Sequence, residues 1–477
     1  MFWNERHGGK RAVDFTAVIL AAGEGTRMKS GIPKVLHKVC GVPMLGHVIS
    51  QAREAGAKRI IVVVGRGAEE VKRAFEGQSV EFVLQAEQKG TGHALQQTKD
   101  AVKGEDTLLV LYGDMPLVTS ETLRSMVEFH SRNLAAATVM TARVKDPAGY
   151  GRIIREGNRV LAIKEEKDAS PEEKAIDEIN SGIYCFSREK VFDALRQVNN
   201  NNVQGEYYLT DVVEILNRQR EKVLAYEVQD PSEVQGVNDR NQLAQAQAVM
   251  QKRIIHRLMA RGVTFLNPDS CLVDAGVEIG RDTIIYPGVI LEGNTRIGEC
   301  CTIVGYSRII DSSIGNNVEI TMCHIRESVI EDGVKIGPFA NLRPGTHLMP
   351  GVKVGDFVEI KNSKVGENSK VPHLSYVGDA DIGNNVNIGA GVIFVNYDGF
   401  KKHRTVVEDE AFIGCNSNLI APVRIGHGSY IAAGSTVTRD VEEGALAIAR
   451  SRQENKPGWV RKRKEREGGD KSDGKQA

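Results

Sequence analysis

From Val273 to Val437 the chain counts in sixes. Stepping by six from Val273 gives Ile279, Ile285, Leu291, Ile297, Ile303 and Ile309, an aliphatic residue each time. After a few five-residue slips the count resumes through Ile330, Ile336, Leu342, Leu348, Val354 and Ile360, then Val365, Val371 and Val377, then Ile382, Ile388 and Phe394. It closes with Ile413, Leu419, Ile425, Ile431 and Val437. Helices repeat at about 3.6 residues and strands at about two, so neither explains this period. A repeat this short must stack as a solenoid in which each copy buries its apolar residue against the next.

Strand chemistry then predicts the shape. A very short extended segment buries one residue, and Gly often follows it (Gly280, Gly298, Gly315, Gly337, Gly355, Gly383, Gly389, Gly414, Gly426), where the chain is expected to turn. Three sides close a triangular coil around a column of Ile, Val and Leu. Aromatic residues are 5% of the chain, which suits an interior too narrow for rings. Such hexapeptide repeats resemble the left-handed parallel β-helix of acyltransferases, an exception to right-handed crossovers. The period alone leaves open a column that only trimerises or regulates a partner domain.

At 477 residues the chain calls for at least two domains. Lys plus Arg and Asp plus Glu are both 62, so no basic excess points to nucleic acid. The seven cysteines show no CxxC pair and no zinc spacing, as expected for reduced thiols in a cytoplasmic protein. The apolar run Phe15 to Ala22 is too short to span a membrane, and it leads into a Gly-rich loop, so it reads as a buried first strand and not a signal peptide.

Before the repeats, strand and helix patterns alternate. Strands are expected at Ala17 to Leu20, Ile60 to Val64, Val80 to Leu84 and Thr107 to Leu111, with helices at Met44 to Ala55, Thr91 to Val102 and Ser120 to Ser131. This predicts an α/β, Rossmann-like domain with a mostly parallel sheet. The loop Leu20-Ala21-Ala22-Gly23-Glu24-Gly25-Thr26-Arg27-Met28, followed by Pro33-Lys34, fits neither the dinucleotide nor the Walker pattern. Its small residues still let backbone N–H groups approach phosphate oxygens, and Arg27 and Lys34 supply cations for a leaving pyrophosphate. In Tyr112-Gly113-Asp114 the carboxylate follows an apolar strand at the end where open α/β sheets bind ligands. Asp114 is a hard oxygen donor suited to Mg²⁺, or a simple turn residue. Gln85 and Gly90-Thr91-Gly92-His93 offer amide and hydroxyl groups to a base edge, with His93 read as structural.

These motifs, with Gln85 to His93, Glu178-Ile179-Asn180-Ser181-Gly182 and the terminal repeats, resemble the bifunctional GlmU family over about Thr16 to Arg450. The resemblance implies two activities. A glucosamine-1-phosphate N-acetyltransferase uses acetyl-CoA, and an N-acetylglucosamine-1-phosphate uridyltransferase uses UTP and Mg²⁺; together they supply cell-wall and lipopolysaccharide precursors. It places the uridine nucleotide at Leu20, Ala21, Ala22, Gly23, Gln85, Gly90, Thr91, Tyr112 and Gly113, and the phosphates at Arg27 and Lys34. Gly151, Glu165 and Asn180 would hold the N-acetylglucosamine part, and Asp114 with Asn238 the metal, a pairing spacing alone does not give.

In the repeats the resemblance makes His373 the general base, with Arg343, Lys361, Tyr376 and Asn387 around the sugar phosphate. Acetyl-CoA would meet Ala390, Asn396, Tyr397, Cys415, Ala433 and Arg450. Cys415 stands where Ser is expected in many relatives, so a hydrogen bond from that side chain would be weaker. His373 lies two residues past inward Val371, near a corner. An imidazole there can take a proton from an attacking amine at neutral pH. Three places depart from the hexad, Asn341 to Gly345, Lys370 to Tyr376 and Asn396 to Glu410, and insertions that leave a coil are where it acquires function.

The expected division is 1–240 for the uridyltransferase, 241–261 for a helical linker and 262–477 for the acetyltransferase, with a disordered basic tail over 457–477. A homotrimer is expected, because sites at corners need neighbours. The partners are small molecules, with neither nucleic acid nor membrane. One rival is a single-activity sugar nucleotidyltransferase with a regulatory coil; another is a non-catalytic subunit, which should lack Arg27, Lys34 and Asp114. A hydratase-like metal coil is disfavoured because His324, His347 and His373 show no paired ligand spacing.

Overall fold

A computed structural model describes residues 13–468. The described chain falls into two compact units, one reaching to residue 260 and including 272–277, the other comprising 261–271 and the residues from 278 on.

The first unit is built on a nine-stranded sheet. Its parallel half runs Glu81–Leu84, Arg59–Val64, Phe15–Ala21, Thr107–Tyr112. Every residue of Phe15–Ala21 is buried, as expected for a strand covered on both faces. Beyond Thr107–Tyr112 the sheet becomes mixed. The ten-residue strand Glu178–Ser187 enters antiparallel between Thr107–Tyr112 and Ala137–Arg143, and the hairpin Arg152–Glu156/Arg159–Lys164 closes the far edge. The helix expected at Met44 to Ala55 forms, the one expected at Ser120 to Ser131 runs on to Arg132, and the one beginning at Thr91 ends at Gln96. The 21-residue helix Arg240–Ala260 packs on this unit. Gln247 Oε1 accepts from the Cys40 N–H at 2.7 Å, and Arg253 reaches Asp230 at 2.9 Å.

The second unit is a left-handed parallel β-helix. Its ladders run in register from coil to coil, as in Ile285–Ile303–Ile320–Ile336–Val354–Val371 along one face. The counted aliphatic residues point inward and are buried. Phe394 is buried among them, so the column does admit a ring.

Gly337, at φ 108, turns the chain as expected, but most of the other glycines have a different cause. Gly280, Gly298, Gly366, Gly389 and Gly414 do not turn the chain. A Cβ on Gly366 would lie 2.4 Å from the backbone of Gly383 in the next coil, so these positions are small because stacked backbones nearly touch. The left-handed turns fall one to three residues after the inward side chain, at Asp282, Asn317, Asn368 and Asn385, for example. Asn and Asp tolerate that conformation through local hydrogen bonds.

Of the three departures from the hexad, only Asn396 to Arg404 leaves the coil; Asn341–Leu342 and Lys370–His373 stay in the ladders. The tail expected to be disordered forms a helix at Trp459–Gly468. Arg461–Glu465 and Arg463–Glu467 pair at i,i+4, and the Arg463 guanidinium sits 5.4 Å over the Trp459 ring, contacts that a reading of the run as mere charge overlooks. Residues 469–477 of that tail, like the first twelve, lie outside the described residues. Among the described residues no helix is long and apolar enough to cross a membrane.

Candidate functional site

In the first unit, loops at the carboxyl ends of the parallel strands enclose a cavity of about 470 Å³. Leu20 to Gly23, Lys34, Gln85, Gly90, Thr91, Tyr112, Asp114 and Asn238 all line it. The first strand delivers Leu20 and Ala21, and the strand beside it ends at Tyr112. Gly113 lies behind the wall, its N–H donating to Leu20 O at 2.9 Å.

Asp114 and Asn238 are brought together by their backbones, since Val237 N–H donates to Asp114 O at 2.9 Å. Both side chains then converge on one cation. Lys34 Nζ is ion-paired with Asp114 and donates to Asn238 Oδ1 at 3.1 Å. Two hard oxygen donors aimed at a single positive point fit a divalent ion that completes its shell with water and phosphate. Arg27 is exposed on the short turn Thr26–Met28, away from this wall.

The expected sugar residues sit beside it. Gly151 O accepts from the Asn180 N–H at 2.8 Å, and Asn180 Nδ2 donates to Tyr184 OH at 2.8 Å. Glu165 borders a second cavity of about 290 Å³, where burial raises its pKa and Thr210 donates to it at 3.2 Å. Tyr112 is pushed far above its ordinary pKa by burial, so its phenol stays protonated.

In the second unit the residues chosen from sequence separate into two groups. His373 ends the strand Lys370–His373 opposite Asp356, and its Nδ1 bonds to the Asp356 carboxylate. That bond holds Asp356 below the usual carboxylate range. Ala390, Cys415 and Ala433 follow beneath along the same edge, one per coil. Gly391 N–H donates to His373 O, Asn416 N–H to Ala390 O and Gly434 N–H to Cys415 O. Asn387 lies on the adjoining face in register with Lys370, and Arg450 is exposed beside Gly434. Small side chains therefore leave a track leading down from His373, with the Cys415 thiol exposed on it.

The other group lies across the strand Tyr376–Gly378. Lys361 is in register with Gly378 there, and Arg343 pairs with Glu359 at 2.8 Å. Asn396, 8% exposed, bonds to Asp379 and approaches Tyr376 OH at 3.4 Å, while Tyr397 OH donates to Gly399 O on the excursion. From the corner at Leu374 to that at Asp379 is five residues, on the order of 15 Å of extended chain. One chain thus keeps its imidazole and its cations at different corners.

One family model matches within each unit. Residues 17–219 match the MobA-like NTP transferase domain, and residues 404–439 match the six-repeat bacterial transferase hexapeptide. Curated proteins named "Bifunctional protein GlmU" align along nearly the whole chain. That of Alkaliphilus metalliredigens is 52% identical, covering 93% of this chain and 97% of its own. That of Caldanaerobacter subterraneus is 53% identical and that of Clostridium botulinum 50%, each over 94% of this chain and 98% of its own. This chain belongs to the GlmU family.

As a GlmU-family chain it holds two further residues that the motifs did not reveal. Asp356 is 17 residues before His373, one coil apart, a partnership set by register and carrying no local pattern. Lys402 comes from the excursion and stands beside Lys361, whose pKa it lowers by contact and repulsion. The coil's period could have found Asp356. Lys402 needed the path of an irregular loop.

Proposed function

We propose that this bifunctional transferase acetylates glucosamine 1-phosphate in the coil and uridylylates the N-acetylglucosamine 1-phosphate product in the first unit. The reading rests on one observation, that each unit gathers polar groups of a different chemistry. The first unit gathers oxygen donors around a cation; the second sets an imidazole against a carboxylate above a track of small residues.

For acetyl transfer, Asp356 accepts from His373 Nδ1–H and so fixes the tautomer that leaves Nε2 unprotonated. Nε2 takes a proton as the amine nitrogen of glucosamine 1-phosphate bonds to the acetyl carbonyl, and the carbon–sulfur bond then breaks as that proton passes to the departing sulfur, releasing CoA thiol. The Arg343, Lys361 and Lys402 cations suit the sugar phosphate. For uridylyl transfer, a phosphate oxygen of the sugar 1-phosphate bonds to the α-phosphorus of UTP and pyrophosphate leaves, so positioning and charge do most of the work. Lys34 sits where it can meet phosphate charge. Asp114 and Asn238 would hold Mg²⁺, which supplies screening between the two anions.

A homotrimer accounts for the split coil site, because a neighbouring corner can bring cations to another chain's imidazole. The corners support it. Two of them place Asn, Asp and Gly among their left-handed positions, but the third places Tyr306, Met322, Phe339, Phe357 and Leu374 there, all at positive φ and all exposed. Phe339 and Phe357 stack at 5.2 Å. Bulky residues in that conformation cost about 1 kcal/mol each, and a ridge of them adjoining His373 suits burial against another copy. Free thiols at Cys40, Cys185, Cys271, Cys300, Cys301, Cys323 and Cys415 fit a cytoplasmic location.

The test gives purified protein glucosamine 1-phosphate, acetyl-CoA, UTP and Mg²⁺ and follows free thiol, pyrophosphate and sedimentation. Both products should appear from a particle of three chains. Pyrophosphate formation with no thiol release, even when glucosamine 1-phosphate is abundant, would favour the single-activity alternative.

A further inference from the structure

A second groove meets His373 from the side opposite the small-residue track. It encloses about 370 Å³ on the face whose strands are Lys335–Ile336, Lys353–Asp356 and Lys370–His373. Its floor is the outward position that follows the buried aliphatic residue in successive coils, occupied by Thr321, Gly337, Gly355 and Pro372. Short side chains leave the space open. At Gly355 nothing longer fits, since a Cβ would strike Pro372 O in the next coil. The Asp356–His373 pair forms the lower end.

Along the rim run Glu319, Lys335 and Lys353, one per coil and in register. Glu319 pairs with Lys335 at 2.6 Å, so these two cancel. Lys353 makes no ion pair among the described residues, and Asp356, the other anion of the groove, is bonded to His373. One uncompensated cation therefore stands above the imidazole.

What lies opposite follows from symmetry. In the homotrimer proposed above, the exposed ridge runs lengthwise along one corner from Tyr306 to Leu374. It can be buried in all three copies only if the threefold axis runs along the column, and rotation about such an axis leaves heights unchanged. Lys361 belongs to the same coil as Lys353, and Arg343 to the coil of Lys335 above it. The neighbouring copy's Arg343 and Lys361 thus arrive level with this groove. His373 lies one coil below Lys353, roughly 5 Å. Amine and phosphate stand on adjacent ring carbons of glucosamine 1-phosphate, a span of similar size.

We infer that Lys353 is a further substrate-binding residue of the coil site: it holds the phosphate of the acetyl acceptor from the imidazole's own wall, opposite the neighbouring copy's Lys361. This rests on the acetyltransferase and trimer readings above. With the acceptor's amine at His373 Nε2, its phosphate reaches the height of Lys353. A phosphomonoester carries more than one negative charge at neutral pH, while Arg343 is already paired with Glu359 and Asp356 adds a negative charge to the imidazole wall. Lys353 offsets that charge where the phosphate must sit. Lys361 and Lys402 already repel each other, so a further cation facing them is stable with an anion between.

The test measures thiol release with glucosamine 1-phosphate and acetyl-CoA in wild type, Lys353→Gln and Lys353→Arg. In Lys353→Gln, KM for glucosamine 1-phosphate should rise about tenfold, with kcat and KM for acetyl-CoA within about twofold, and Lys353→Arg should stay near wild type. Lys353 is exposed, so neither change touches the core. A KM for glucosamine 1-phosphate in Lys353→Gln within about twofold of wild type overturns the proposal. Mixed trimers then identify the wall. When His373→Ala and Lys361→Ala chains carry different tags and trimers holding both are purified, each has one junction of two intact walls, about a third of the sites. Lys353→Gln mixed with Lys361→Ala should likewise regain sites of wild-type KM. Lys353→Gln mixed with His373→Ala should regain none, because both changes lie on one wall, and wild-type KM in that mixture overturns the assignment. No recovery in the first mixture defeats the shared-site reading itself, whereas recovery there with an unchanged KM in Lys353→Gln defeats only the role of Lys353.

Discussion

The two units bury comparable side chains but assemble their sites by opposite rules. In the sheet unit, Lys34, Asp114 and Asn238 arrive from segments 80 and 204 residues apart, and only the finished fold brings them together. In the coil, Asp356 and His373 are 17 residues apart because one coil is about that long, so register alone pairs them. The sheet can gather any chemistry at its loop end. The coil places chemistry accurately along an edge but cannot bring its own corners together. That difference leads to a complete cavity in the first unit and a divided site in the second.

The sharpest way to break the contrast is Asp114→Ala. Uridylyl transfer should drop about a thousandfold, since the variant removes the charged half of the oxygen pair, while thiol release from acetyl-CoA should stay within about twofold. Comparable loss of both activities would mean that the units do not work separately. Next comes Gly366→Ala. Its Cβ would meet Gly383 backbone at 2.4 Å, and backbone held in the coil-to-coil ladder cannot move aside, so the coil should lose about 3 kcal/mol. Urea unfolding followed through thiol release should show it, with the uridylyl midpoint little changed.

The smallest effect is a pH slope confined to the first unit. His130 is buried, bonded to Thr138 at 2.9 Å, and burial lowers its pKa to about 4. The unfolded chain binds a proton below about pH 6.5 that the folded chain refuses until about pH 4, so stability falls as pH falls through that window, by about 2 to 3 kcal/mol. His37 and His47, also buried with lowered pKa, add in the same direction. Urea midpoints of the uridylyl activity between pH 7 and pH 4 should trace the slope, and His130→Gln should flatten it.

How much of this was legible follows from the same contrast. The column from Ile279 to Val437 could be read residue by residue because its period is covalent. The reason for the glycines could not, since the approach of Gly383 to Gly366 is a contact between coils. In the sheet unit Phe15–Ala21 and Thr107–Tyr112 stand out as apolar runs, but Glu178–Ser187 shows in sequence only as a polar motif because Glu178, Asn180 and Ser181 are buried polar residues within a strand. The Trp459–Gly468 helix does not stand out in the sequence because its support comes from side-chain pairs four apart, not from an apolar face.

The central claim is that each unit carries its own chemistry, and His373→Ala tests it most directly. Thiol release and pyrophosphate release should be followed on one preparation, with glucosamine 1-phosphate for the first and N-acetylglucosamine 1-phosphate for the second. The account predicts thiol release reduced at least a hundredfold and pyrophosphate release unchanged within twofold. Wild-type thiol release from this variant would contradict it.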